Sequence, residues 1–208
     1  RSDRDWSSDV CSSDLAMGII DFKRPLVLAT ASEARRKLVA DAGIAFIPDK
    51  VDIDESPLGG EEVSTYVSRL ASAKAAAVVP PSLDAVIVAV DTAIGLDGEI
   101  IGKPRDEADA REILSRLSGR AHEVASAIAI RDASGAAQAI EVTKTEVFFG
   151  ELSAEALDWY LSTGEWRGRA GAYAIQGKGA ALIASVHGCF TNVIGISIPT
   201  LLRMLGEI

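Results

Sequence analysis

The chain has 208 residues, of which 48% are hydrophobic and 25% are charged, and its formal net charge is -9 at pH 7. This length and this hydrophobic content suffice for one substantial core, or for two small lobes that share a cleft. The negative charge argues against nonspecific binding to nucleic acid or anionic lipid, and every apolar run falls far short of the roughly 20 residues that a membrane-spanning helix needs.

The first 16 residues differ from the rest of the chain. Ser, Asp and Arg crowd together there, without apolar periodicity and without the apolar region of a secretory signal. We expect residues 1–16 to be a non-native or disordered leader, and residues 17–208 to form a single domain. The only cysteines are Cys11 and Cys189, which exclude a disulfide framework. A reducing cytoplasm is therefore the expected compartment.

A strand followed at once by a helix is predicted after this leader. Residues 26–31 form a short apolar run, and Ser32 then offers a hydroxyl group to cap a helix that Gly43 ends. Further along, the patterns predict an extended segment over 44–53, a loop over 54–60, a helix over 61–79 and a nearly continuous apolar strand over 84–90.

The second half of the chain carries clear turn signals. The pair Asp97-Gly98 is typical of a two-residue hairpin turn, and the segment 132–135 separates two predicted antiparallel strands over 121–131 and 136–149. The remaining predictions are helices over 106–117 and 153–163, a glycine-rich stretch over 164–179, a strand over 181–186 and a short final helix with Pro199 in its first turn. This alternation predicts an α/β fold with a mixed, twisted central sheet flanked by helices.

Two positions directly follow apolar strands, where open α/β sheets usually bind ligands. Ser32 and the basic pair Arg35-Arg36 open a helix, so backbone N–H groups, the helix dipole and two guanidinium groups would meet an anion there. The alternative is that both arginines face solvent. Asp91 is expected at the carboxyl end of its strand, where partial burial would raise its pKa and a metal or a lysine would lower it.

Groups that suit a metal-bound polyphosphate occur in three further segments. Asp54 and Glu55 lie in a loop and, with Asp91, offer oxygen ligands to a hard cation such as Mg²⁺ or Mn²⁺, although Asp54 is best explained as a solvated loop residue. Lys74 interrupts the apolar face of its helix and Lys103 lies in a turn, so both are candidate phosphate contacts. The alternative for Lys74 is a side chain whose stem runs along the core to reach solvent, and the alternative for Lys103 is a plain surface turn.

The glycine-rich segment 171–179 fails the Walker pattern, because its spacing is one residue too long and no Ser or Thr follows Lys178. A P-loop NTPase is thus rejected. Gln176 in this segment has the paired donor and acceptor that a base edge requires, whereas the plain alternative is a glycine-rich hairpin corner. The two histidines and two cysteines form no cluster at zinc spacing, so zinc is not expected.

Taken together, these segments resemble the Maf family of nucleoside triphosphate pyrophosphatases over nearly all of residues 26–206. Each motif is short, and the resemblance lies in their order and spacing. The motifs are LATASEAR at 28–35, DIDE at 52–55, YVSRLASAKA at 66–75, DT at 91–92, GKP at 102–104, LSGRAHEV at 117–124, AGAYAIQG at 170–177 and NVIG at 192–195.

The resemblance implies two lobes around a cleft, as in inosine triphosphatase-like enzymes, and hydrolysis of a bound nucleoside triphosphate to the monophosphate and pyrophosphate. It implies a divalent cation, Mg, Mn or Co, near Asp91 as proton acceptor and Glu55 as a helper with metal or water. The implied substrate contacts are Ser32, Arg35, Lys74 and Lys103 to phosphate, with Thr92 and Gln176 at positions linked to substrate choice. A homodimer is expected from the resemblance alone.

The Asp91-Thr92 pair and the Ile-Gln-Gly form at 175–177 are similar to the dTTP/UTP branch of that family. The family's usual Ser-Pro-Arg-Arg is replaced here by the residues at 32–35, so Ala34 stands where the pyrimidine branch has an arginine. This departure weakens the expectation of a strict dTTP/UTP preference. Two other hypotheses are a nucleotide-binding regulator of cell division without significant turnover, and a nucleic-acid-binding protein, which the acidic charge disfavours.

Overall fold

The computed structural model describes residues 22–135 and 138–208, so the leader expected at 1–16 lies outside them. Seven strands form one sheet. They are β1 (Leu26–Ala29), β2 (Ile47–Asp49), β3 (Val86–Leu96), β4 (Glu99–Ile101), β5 (Ala121–Asp132), β6 (Gln138–Phe149) and β7 (Ile183–His187). Their order is β2-β1-β3-β5-β6-β7, with β4 paired to β3.

Helices cover the sheet, and the predicted serine and aspartate caps begin them. They are α1 (Glu33–Asp41), α2 (Val63–Ala77), α3 (Glu107–Leu117), α4 (Ala154–Ser162), α5 (Phe190–Ile194) and α6 (Ile198–Gly206). Ser32, Asp106 and Ser153 each accept a hydrogen bond from the backbone N–H three residues on, which confirms the three predicted caps. Within the described residues, no helix has both the length and the apolar character that spanning a bilayer requires.

The sheet is mixed, as predicted. β1 pairs in parallel with β2 and β3, whereas β3, β4, β5, β6 and β7 pair with one another in antiparallel fashion. The predicted two-residue turn joins β3 to β4, and both Asp97 and Gly98 have positive φ angles, 54° and 81°. These angles are those of the hairpin turn that Asp-Gly favours.

The strand that contains Asp91 is longer than the apolar pattern predicts. β3 continues to Leu96, so Asp91 lies within the strand, opposite Ala127 of β5, and the expectation that it ends the strand is wrong. The parallel pairing of β3 with β1 stops at Ala89. Beyond that residue, β3 pairs in antiparallel fashion with β5 and, near its end, with β4. Asp91 therefore still lies just past the carboxyl end of β1, where open α/β sheets bind ligands.

Three smaller differences concern segments between the long strands. Only the short β2 forms in the predicted extended segment 44–53. The glycine-rich stretch is not a hairpin corner, because it folds into 3₁₀ turns at Ala170–Ala172 and Gly177–Leu182. The predicted final helix with Pro199 in its first turn is confirmed as α6, but an additional short helix, α5, precedes it and ends at Gly195, which has a φ of 133°.

Buried apolar side chains form separate cores in two lobes. In the lobe around β1, alternate residues of β3 point to opposite faces, so that Val88 packs in one cluster and Ile87 in the other, against α2. In the second lobe, Leu114 of α3 and Tyr160 of α4 pack against β5 and β6. The strands β3 and β5 contribute residues to the cores of both lobes.

Arg131 of β5 closes the carboxyl end of α2. It is only 9% exposed, and its Nε and Nη2 donate to the carbonyl oxygens of Ala75 and Val78, each at 2.8 Å. The Ala75 oxygen also accepts a 3.4 Å hydrogen bond from the Val78 N–H, and both carbonyls lie at the end of the helix, so the guanidinium adds a charged donor to each.

We expect Arg131→Met to lower the free energy of unfolding by about 2–3 kcal/mol, because methionine fills the space but leaves buried carbonyls without charged donors. Urea unfolding followed by circular dichroism measures the change. Arg203→Met is the matched control, since Arg203 pairs with the exposed carboxylates of Glu141 and Glu207. Equal destabilisation by the two variants would contradict the capping role of Arg131.

Candidate active site

A cleft of about 980 Å³ opens past the carboxyl end of β1, between the two lobes. Its walls include every residue to which the family resemblance assigned a role in catalysis or substrate binding, whereas Arg36 and Asp54 do not line it. The residues with such a role are Ser32, Arg35, Glu55, Lys74, Asp91, Thr92, Lys103 and Gln176. Two helices, one strand and four segments outside them supply these side chains, so only the folded chain brings them together.

Lys74 lies between two carboxylates in this cleft. Its Nζ is 2.6 Å from Oδ1 of Asp91 and 2.6 Å from Oε1 of Glu55. The side chains of Lys74 and Asp91 are 12% and 10% exposed, so their ion pair is largely shielded from water. Lys103 is more exposed, and its Nζ lies 4.0 Å from the second carboxylate oxygen of Glu55. Two cations and two carboxylates thus share one wall of the cleft.

The two carboxylates differ in proton affinity. Burial raises the pKa of Asp91 above its ordinary value, although the positive charges of Lys74 and Arg35 oppose the shift. Burial also acts to raise the pKa of Glu55, but the hydrogen bond and the charge of Lys74, together with Lys103, bring it below its ordinary value. Since a raised pKa makes a carboxylate the better proton acceptor, Asp91 suits general-base chemistry and Glu55 stays ionised.

Two side chains that sequence reasoning missed hold the loop of Glu55 in place. Tyr66 Oη donates to the backbone oxygen of Glu55 at 2.8 Å, and Arg69 Nη2 donates to that of Ser56 at 3.1 Å. Burial raises the pKa of Tyr66 to about 12, so its hydroxyl keeps the proton that it donates. The available signal was helical spacing, because Tyr66 and Lys74 are two turns apart and so share a face of α2.

Arg35 lies at the base of the cleft and is only 9% exposed. Its Nη1 donates to Thr30 Oγ1 at 2.8 Å, its Nε to the Gly195 backbone oxygen at 2.8 Å, and its Nη2 to Thr92 Oγ1 at 3.1 Å. Burial lowers the pKa of Arg35, while Asp91 and Glu55 oppose that change. The alternative in which both arginines face solvent is wrong for Arg35, and within the described residues two of its five N–H groups make no hydrogen bond.

Thr92 belongs to the polar network around Arg35. Its hydroxyl donates to the backbone oxygen of Gly195 at 3.0 Å and lies 2.8 Å from Oγ of the buried Ser126. Thr92 is thereby fixed between Arg35 and Ser126. Any influence of Thr92 on a ligand would act through the position of Arg35 as well as by direct contact.

Gln176 also lines the cleft, on the glycine-rich segment 164–179. It is exposed, and its side-chain amide makes no hydrogen bond with any residue in 22–135 or 138–208. Its donor and acceptor are therefore open to a ligand. Arg167 and Arg169 are also exposed along this cleft and were not anticipated, because isolated arginines in a loop carry no distinctive sequence pattern.

The donor groups of the cleft fit a cation that arrives with a phosphorylated ligand. No group of three or more His, Cys, Asp or Glu side chains suited to a metal occurs in the described part of the chain. However, Asp91 and Glu55 already bracket one cation, the ammonium of Lys74. Mg²⁺ commonly binds through one or two carboxylates and completes its shell with substrate phosphates and water. Asp91 and Glu55 are the residues that would hold it.

Known proteins resemble this chain in sequence and in fold. The family described as Maf-like protein matches residues 25–208. The dTTP/UTP pyrophosphatase of Myxococcus xanthus is 43% identical over 180 residues, which are 86% of this chain and 90% of that protein. The dTTP/UTP pyrophosphatase of Anaeromyxobacter dehalogenans is 45% identical over 186 residues, covering 87% of this chain and 94% of that protein.

Among solved structures, a HAM1 protein from Coxiella burnetii has a similar fold. The TM-score is 0.50 and the identity 18%, over 89% of this chain and 100% of that one. At this identity the likeness concerns the arrangement of the sheet and the helices and carries no information on the chemistry of the cleft.

Proposed function

Because the chain belongs to the Maf family, we propose that it hydrolyses nucleoside triphosphates to the monophosphate and pyrophosphate, with dTTP and UTP as preferred substrates. The observation that carries the proposal is the ammonium of Lys74 at 2.6 Å from both Asp91 and Glu55, in a cleft that Arg35 and Lys103 also line. Relatives named dTTP/UTP pyrophosphatase support the substrate class. A cytoplasmic location and a homodimer stay predictions.

Binding of the triphosphate rests on positive groups at one end of the cleft. Ser32, Glu33 and Ala34 at the start of α1 line the cleft, so the positive end of this helix dipole lies beside it. Lys74, Lys103 and the two unused N–H groups of Arg35 add charge that complements phosphate oxygens. A divalent cation bound through Asp91 and Glu55 would neutralise further phosphate charge.

Asp91 is suited to accept the proton of the attacking water. The water oxygen forms a bond to the α-phosphorus while the bond between that phosphorus and the bridging oxygen to the β-phosphorus breaks, and pyrophosphate leaves. The carboxylate takes up the proton that the water loses, and the hydrogen bond from Lys74 holds the carboxylate in place. Positive charge around the α-phosphate stabilises the transition state more than the ground state.

The open amide of Gln176 suits it to pair with the edge of the base. Ala34 also lines the cleft, so the position where the pyrimidine branch has an arginine faces the ligand in this chain too. Alanine leaves space there and supplies no donor. We therefore propose a dTTP/UTP preference that is less strict than the branch implies, with larger or modified nucleotides also accepted.

A turnover panel with the purified chain tests this proposal. We expect equal amounts of monophosphate and pyrophosphate, fastest from dTTP and UTP, with activity lost on chelation and restored by Mg²⁺, Mn²⁺ or Co²⁺. In water labelled with ¹⁸O, the label should enter the monophosphate, because attack is at the α-phosphorus. Release of inorganic phosphate and a diphosphate would contradict the proposal. Tight triphosphate binding without turnover would favour the regulator hypothesis instead.

A further inference from the structure

We propose that Glu165 is a positioning residue, which fixes the loop 174–179 and thereby sets how strictly Gln176 discriminates between bases. This inference rests on the proposed function, because it concerns base selection in the same cleft. Glu165 itself lines the cleft, just after α4, and nothing in the sequence pattern singled it out.

The carboxylate of Glu165 holds the loop on one side of Gln176. Its Oε2 accepts hydrogen bonds from the backbone N–H of Lys178 at 2.9 Å and of Gly179 at 3.2 Å, and its Oε1 lies 3.2 Å from the N–H of Lys178. The backbone N–H of Glu165 in turn donates to Thr163 Oγ1 at 3.1 Å. The anchor is thus tied to the end of α4.

Buried aromatic residues hold the loop on the other side of Gln176. The N–H of Ala174 donates to Oη of Tyr160 at 3.2 Å, and Tyr160 is fully buried. Oη of Tyr173 lies 2.7 Å from Nε2 of His122, and burial lowers the pKa of His122 to about 4, so this imidazole is neutral. Gln176 therefore lies on a short bend between two anchors, and both Glu165 and Tyr173 line the cleft.

The glycines of this loop explain why it needs an anchor. Gly177 has a φ of +72°, and a side chain at Gly179 would lie 2.0 Å from the backbone oxygen of Ala174, so the two ends of the bend touch. Glycine permits this close approach of Gly179 to Ala174, but a glycine backbone without further hydrogen bonds can also adopt many other conformations. The hydrogen bonds to Glu165 select one of them, and with it one position for the amide of Gln176.

Replacing Glu165 with glutamine tests the inference, because the amide has nearly the same shape but lacks the negative charge and offers one oxygen acceptor where the carboxylate offers two. We expect the ratio of kcat/KM for dTTP to kcat/KM for dCTP to fall about tenfold or more, through a higher KM for dTTP and with a smaller change in kcat. Glu141→Gln is the matched control, since Glu141 pairs with Arg203 away from the cleft. This control should leave the ratio unchanged.

A double-mutant cycle with Gln176→Ala separates a positioning role from a general structural one. If Glu165 acts through Gln176, then Glu165→Gln should cause no further loss of discrimination in a chain that already carries Gln176→Ala. In Glu165→Gln, the amides of Lys178 and Gly179 should also exchange hydrogen faster, with or without substrate.

Three results would overturn the inference. The first is an unchanged ratio of kcat/KM for dTTP to that for dCTP in Glu165→Gln. The second is additive losses of this ratio in the double variant, and the third is unchanged hydrogen exchange of the Lys178 and Gly179 amides. Failure of the wild-type chain to hydrolyse any triphosphate would overturn the proposed function and this inference together. Wild-type turnover with one of the three results would overturn the inference alone.

Discussion

Asp91→Asn is expected to lower kcat by about 10²-fold or more, which is the usual range for loss of a general base. The amide has nearly the same shape, and its oxygen can still accept the hydrogen bond that Lys74 Nζ donates to Asp91 Oδ1 at 2.6 Å. It cannot take up the proton of the attacking water. Single-turnover release of monophosphate measures the chemical step, and binding of a nonhydrolysable triphosphate shows whether the cleft is intact.

Stability and a control substitution distinguish this effect from unfolding. Glu55 still pairs with Lys74 in the variant, so we expect a melting temperature within about 4 °C of the wild type. Asp97→Asn is the matched control, because Asp97 lies in the turn after the same strand and pairs with the exposed Arg120. Wild-type turnover by Asp91→Asn would remove Asp91 from the mechanism.

Lys74→Met is expected to lower kcat/KM by about 10²-fold or more, since it removes the ammonium that contacts both carboxylates and would face the phosphates. Methionine retains most of the buried stem. Without the ammonium, burial and the neighbouring charge of Glu55 both raise the pKa of Asp91 further. Activity requires the ionised Asp91 carboxylate and is lost as pH falls through its pKa. A higher pKa in the variant should therefore move the acidic limb of the plot of kcat/KM against pH to higher pH.

Profiles of kcat/KM between pH 5 and pH 9 measure this displacement, which we expect to be about one pH unit or more. The variant should therefore regain a larger share of activity at high pH than the wild type does. Lys37→Met is the control, because Lys37 forms an exposed pair with Asp41 on the outer face of α1. A uniform loss of activity at every pH would show that Lys74 does not tune Asp91.

Local sequence signals predicted the elements of the fold with good accuracy. Ser32 and Asp106 begin helices because a capping hydroxyl or carboxylate acts within three residues, and Asp97-Gly98 forms its turn because positive φ angles are a property of those two residues. The length of β3 depends instead on β5 and β4, which are distant in sequence. For that reason the polar Asp91 was taken for the end of a strand that in fact continues beneath the cleft.

The candidate site was predictable wherever a residue type alone carries the chemistry, as with Asp91 and Lys74. Residues that act by holding others were missed, because their partners are remote. Tyr66 contacts the backbone of Glu55, and Glu165 contacts that of Lys178, through hydrogen bonds between segments that only the tertiary structure brings together. Arg35 was identified, but its burial against Gly195 could not be inferred from either segment alone.

The long strands that run from one core to the other restrict how the molecule can accommodate its ligand. An unbroken ladder of backbone hydrogen bonds joins β3 to β5 and β5 to β6, so any hinge motion of the two halves has to bend these continuous strands. We therefore expect the peripheral loops to adjust to a ligand more readily than the sheet does. A rigid inhibitor shaped to the present spacing of Arg35 and Lys74, which both lie on helices, would consequently lose little affinity to reorganisation of the protein.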